Sequence, residues 1–117
     1  MAVVSNSTAD EVALCLDASG LAPLFAATVS RADVVRGKPD PEGYLLAACR
    51  LSLPADACLV IEDSPVGAAA GVAAGMTVAF YPQHPVPSAS IPAAAHYISS
   101  SEQLVSFLLA AIGRGTA

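Results

Sequence analysis

A chain of 117 residues with a formal net charge of −5 and 55% apolar residues has the material for one packed core. Its five Lys and Arg residues are scattered, which excludes a basic stripe for nucleic acid and a polybasic patch for a membrane. Three cysteines, none in C-x-x-C spacing, give neither a disulfide framework nor a zinc site.

The first apolar run, AVVS at 2–5, reads as a short buried strand. Thr8-Ala-Asp-Glu11 fits the S/T-x-x-E capping box and opens a helix, with Val12, Cys15 and Leu16 on one face and Gly20 as its stop. FAATVS (25–30) is a second strand. RADVVRGKPDP (31–41) is a loop, and Asp40-Pro41 reads as N-cap and first position of a second helix. Tyr44, Leu45, Ala48 and Leu51 supply that helix with an apolar face.

ACLVIE (57–62) is the clearest strand, and its continuous apolar run predicts burial on both faces. Ser64-Pro65 repeats the cap-then-proline entry, into a helix reaching about Gly75. Gly67, Gly71 and Gly75 recur every four residues, so one face of that helix is nearly bare and suited to tight packing on a sheet. TVAFY (77–81) is a further strand. The uncharged stretch PVGAAAGVAAGMTVAFYP could pass for a membrane span, but Gly75 and Thr77 divide it into helix, turn and strand. Residues 82–95 form a Pro/Ser/Ala surface linker. HYIS (96–99) is a weak strand. Ser100-Ser-Glu-Gln103 caps a last helix with Leu104, Val105, Leu108, Leu109 and Ile112 on one face. Alternating strands and helices, the strands continuously apolar, predict an α/β fold: a parallel sheet with helices on both faces, in one domain over 1–117.

In such sheets ligands bind at the carboxyl ends of strands, beside helix N-termini. Ser5-Asn6, Lys38 and Glu62-Asp63 all fall at such junctions. A hydroxyl, an amide, an ammonium and two carboxylates on one rim suit a phosphate with Mg²⁺, a hard cation held by one or two carboxylates together with water and phosphate. Each residue also has a plain structural role open to it. Ser5 and Asn6 could cap a helix, Lys38 could be a turn lysine, and Glu62-Asp63 could be an acidic helix entry. His84 and His96 read as loop and strand-edge residues.

VVSNS, then GKPDP, then LVIEDSPVGAAAGVAAGM, in this order, resemble the haloacid dehalogenase superfamily, in particular its phosphatase and phosphoglucomutase-like members. The resemblance implies a Rossmann-like core. It implies that Ser5, with Asn6 beside it, binds the phosphoryl group, that Lys38 stabilises negative charge, and that Glu62 and Asp63 hold Mg²⁺. Lys38 and Asp63 are then the catalytic residues present. The resemblance further implies hydrolysis of a small phosphate monoester through an aspartyl-phosphate intermediate. The three cysteines read as small apolar residues in a reduced compartment, so the expected location is the cytoplasm. The family's D-x-D motif, which carries the nucleophile, is absent from these 117 residues, as is the cap domain. The strand bearing D-x-D would lie centrally, between those ending in Ser5 and Glu62. The chain is therefore expected to be the C-terminal part of such an enzyme, its sheet completed by a missing N-terminal segment or a second chain. A phosphosugar mutase fragment and a non-catalytic phosphate- or Mg²⁺-binding remnant are the alternatives. The expected partner is a small phosphorylated metabolite, with no nucleic acid and no membrane.

Overall fold

The computed structural model describes residues 1–5, 9–20 and 27–113. Its elements, in chain order, are β1 (Ala2–Val4), α1 (Ala9–Ser19), β2 (Ala27–Val29), α2 (Glu42–Arg50), β3 (Leu59–Glu62), α3 (Pro65–Ala73), β4 (Thr77–Phe80), β5 (His96–Tyr97) and α4 (Ser101–Gly113). This is the expected α/β alternation. Thr8 and the first residues of the strand expected at 25–30 lie outside the described residues.

The strands form two parallel sheets. β1 pairs with β2, with Val3 opposite Thr28. β3 pairs with β4 and β4 with β5, with Val60 opposite Val78 and Phe80 opposite Tyr97. β4 is the interior strand of the larger sheet. Its Val78, Ala79 and Phe80 are all buried, as expected for a parallel strand covered on both faces. β3 departs from that pattern. Val60 and Glu62 are buried, but Ile61 remains half exposed. The apolar run therefore overstates the burial of β3, because among the described residues one of its edges carries no strand.

Between β1 and β3 lies a cleft of about 680 Å³. Ala2 and Val4 line one wall, Leu59 to Glu62 the other, and Tyr44, Ala47 and Ala48 of α2, with Leu51 just past its end, the floor. No strand among the described residues joins the two sheets across it.

α3 packs on β3 and β4 through its small residues. A Cβ at Gly71 would stand 2.7 Å from Val78 Cγ2 and 3.3 Å from Val60, so only glycine lets the helix approach this closely. Gly75 does not belong to that face. It has φ +80° and open space around it, and it ends the helix in the left-handed conformation, with the Met76 N–H donating to the Gly71 carbonyl at 3.1 Å. The run from Pro65 to Phe80 is thus helix, turn and strand. No helix among the described residues is long and apolar enough to cross a membrane.

Two helical faces are rotated from their expected positions. In α2 the buried set is Gly43, Tyr44, Ala47 and Ala48, while Leu45 is 46% exposed. In α4 Ala111 is buried and Leu104, Phe107 and Leu108 are partly buried, whereas Val105 and Leu109 face solvent.

Candidate functional site at the carboxyl ends of β1 and β3

The loop preceding α2 is built by its own acidic residues. The Glu42 carboxylate accepts the N–H groups of Val35 at 2.8 Å and Arg36 at 3.1 Å. The Asp40 carboxylate accepts the Glu42 N–H at 2.9 Å. Asp40 therefore caps the helix start from one position further out than a simple N-cap, and Pro41 is the cap residue by backbone geometry. A surface hollow of about 630 Å³ beside this loop includes Asp33, Asp40 and Glu42 in its lining. All three carboxylates accept main-chain N–H groups, so the hollow has a structural account. Asp33 accepts from the Ser30 N–H and stands 3.5 Å from Arg50. Those contacts, the Ser30 bond first, hold its carboxyl below the usual carboxylate range.

The loop delivers Lys38 to the space between the two sheets. Its ammonium donates to the main-chain carbonyl of Val4, the last residue of β1, at 2.9 Å. It also meets Glu62 Oε2, at the end of β3, at 2.5 Å. The side chains are 13% and 7% exposed, so this ion pair lies largely out of water. Lys38 is therefore not a solvated turn lysine.

Glu62 and Asp63 part company at the end of β3. Glu62 turns inward and is buried, while Asp63 is exposed. Two neighbours stabilise the inward carboxylate: Lys38 and the phenol O–H of Tyr44, which donates to the same Oε2 atom. Oε1 has the Ser64 hydroxyl at 3.4 Å. Space for the carboxylate comes from Gly67, where a Cβ would fall 2.1 Å from it. The Ser64 side chain accepts the Gly67 N–H at 3.1 Å, with Pro65 next in the chain, so the expected helix entry is present.

Tyr44 has no counterpart among the expected site residues, because its apolar position in α2 gave no sign of a polar partner 18 residues away. It is 7% exposed, and the Lys38 ammonium stands 5.2 Å from its ring centroid. Burial first, then the bond to Glu62, pushes its phenol far above the ordinary value, so it remains a donor. Ser5 lies at the end of β1 beside Val4, its N–H donating to the Val29 carbonyl at 2.8 Å. Asn6 lies outside the described residues. Of the expected set, the structure brings Lys38, Glu62 and the end of β1 together at one end of the cleft, with Asp63 adjoining on the exposed side.

As a test of Mg²⁺, the donors divide unequally. The described residues contain no group of three or more His, Cys, Asp and Glu side chains gathered for a metal. Asp63 is an exposed hard-oxygen donor. Glu62 is committed at Oε2, with Oε1 less engaged. Asp63 is thus the donor open to a cation that takes its remaining ligands from water and phosphate.

A family model for haloacid dehalogenase-like hydrolases matches residues 1–75. Hexitol phosphatase A of Escherichia coli is 47% identical over 57 residues, which are 49% of this chain and 26% of that protein. A crystal structure described as a beta-phosphoglucomutase of Thermotoga maritima superposes with a TM-score of 0.82 at 27% identity, over 93% of this chain and 51% of that one. A family hydrolase of Deinococcus radiodurans, crystallised with phosphate and sodium, superposes with a TM-score of 0.79 at 35% identity, over 93% and 52%. The chain thus spans about half the length of these solved relatives and about a quarter of the curated one. With the family model covering well over half of its residues, the chain belongs to the haloacid dehalogenase-like hydrolases.

Proposed function

We propose that this chain supplies the phosphate- and cation-binding half of a Mg²⁺-dependent phosphatase acting on a small phosphate monoester through an aspartyl-phosphate intermediate. The observation that carries the reading is the place of Lys38: a buried ammonium held between the last carbonyl of β1 and the last side chain of β3. An ammonium at that rim neutralises phosphoryl oxygens, and preorganised charge of this kind is where much of catalysis resides. Ser5 and Asn6 orient the phosphoryl group. Asp63, with Glu62 preceding it in the chain, would hold Mg²⁺, which supplies further charge neutralisation when bound.

No D-x-D occurs in the 117 residues, so the aspartate nucleophile comes from outside them. The cleft between β1 and β3 has room for an additional strand, contributed by a further segment or by a second chain. That arrangement would place the strand's carboxyl end at Lys38. Phosphosugar mutase activity is the second reading, favoured by the superposition on the Thermotoga maritima structure.

The chain has a single lysine, which makes the test direct. With isotope-labelled lysine, inorganic phosphate should shift the Lys38 ammonium resonance saturably, more tightly with Mg²⁺ present. Asp63→Asn should remove the Mg²⁺ effect. The isolated chain should release no phosphate from p-nitrophenyl phosphate. Turnover by the pure chain that disappears in Lys38→Ala would overturn the assignment of the nucleophile to another segment. A Lys38 resonance indifferent to phosphate would overturn the phosphate site.

A further inference from the structure

Two donors converge on one oxygen. Glu62 Oε2 receives both the Lys38 ammonium and the Tyr44 phenol, and the lysine lies against the tyrosine ring. A buried carboxylate with one cationic partner would hold that cation tightly, because losing it leaves a charge without compensation. Lys38 would then bind an incoming anion only by stripping Glu62 bare. The phenol changes this balance. It is buried, protonated and donates to the same atom, so Glu62 keeps a strong hydrogen bond while the lysine is shared. Phenylalanine in place of Tyr44 would fill the same volume, so packing alone does not require the hydroxyl.

We propose that Tyr44 is a positioning residue of this site: its phenol O–H keeps the Glu62 carboxylate partnered, so that Lys38 can turn its ammonium toward a bound phosphoryl group. The proposal rests on the reading of Lys38 as the phosphate-binding cation, and it adds a residue to that reading. Lys38 also donates to the Val4 carbonyl, which anchors its ammonium at the end of β1. Tyr44 therefore acts through Glu62 on the lysine and does not itself need to touch the ligand.

The experiment follows the single lysine by NMR in the full 117-residue chain, as wild type and Tyr44→Phe, first free and then titrated with inorganic phosphate. In the folded variant the free-state Lys38 ammonium signal should move, as Glu62 loses its second donor. Phosphate binding should weaken about tenfold, the scale of one hydrogen bond to a charged group. A role in packing alone predicts unchanged phosphate affinity and an unmoved signal, and either result overturns the proposal. If the wild type ignores phosphate, the functional reading fails, and the free-state signal alone decides the role of Tyr44. Should Tyr44→Phe not fold, replacing the tyrosines by 3-fluorotyrosine alters donor strength without removing the hydroxyl. A Lys38 signal unmoved by that replacement also overturns the proposal.

Discussion

Gly67 governs the site without bearing a functional group. Its missing Cβ is the space that the Glu62 carboxylate occupies, and a methyl group there would overlap the carboxylate at 2.1 Å. Gly67→Ala must therefore expel Glu62 or lift α3 from the sheet. In a well-packed region such overpacking costs about 1–3 kcal/mol. Urea unfolding of Gly67→Ala should show a loss in that range, together with a displaced Lys38 resonance. Tyr44 gives a second prediction at this scale. Its phenol ionises less readily in the folded chain than in the unfolded one, whose ordinary value is near 10. Below that value both states are protonated and the stabilisation is complete. Above it the unfolded chain loses a proton that the folded chain keeps, so stability falls with rising pH, by up to about 1.4 kcal/mol per unit. Urea midpoints taken from about pH 9 to about pH 11 should decline in the wild type and decline less steeply in Tyr44→Phe.

The elements were legible where their signals are local. Ser64-Pro65 announces α3 because a capping hydroxyl and a proline suited to the first turn act within three residues, and the Ser64 side chain does accept the Gly67 N–H. Ser64→Ala should cost about 1 kcal/mol, measured by the shift in urea midpoint. Part of the loss should reach Glu62, whose Oε1 faces the same hydroxyl. The last helix was also announced locally, with the Gln103 N–H on the Ser100 hydroxyl at 3.1 Å. The Gln103 side chain, however, returns to the Ser99 N–H instead of the Ser100 N–H. Tertiary choices were not legible. A run of Leu and Val offers several adjacent stripes, and only the packed neighbours select Ala111 and reject Val105 and Leu109. The same holds for the site. GKPDP and the Glu-Asp pair could be read as motifs, but the contact from Tyr44 to Glu62 exists only once α2 lies beneath β3. The opposite fates of Glu62 and Asp63 follow from strand alternation, which a bound cation is not needed to explain.

For the whole molecule the governing feature is the open seam between the sheets. Among the described residues β1 and β3 each pair on one side, and their facing walls border an apolar cleft of about 680 Å³. Backbone groups on such edges seek partners, and unprotected edges associate. Lys38 closes the seam at one end, by joining Val4 to Glu62. Removing it should therefore weaken the cohesion of the two sheets and expose the cleft along its length. The isolated chain is expected to bind a hydrophobic dye and to associate as its concentration rises, and Lys38→Ala should do both more strongly. Sedimentation velocity across a concentration series, with dye fluorescence alongside, checks this. A chain that stays monomeric and dye-free at all concentrations would mean that the cleft is closed in solution by its own residues. In that case the proposed strand from outside would have no place to enter. Association relieved by an added apolar strand-forming peptide would instead locate the sticky surface at the seam, at whose end Lys38 already stands.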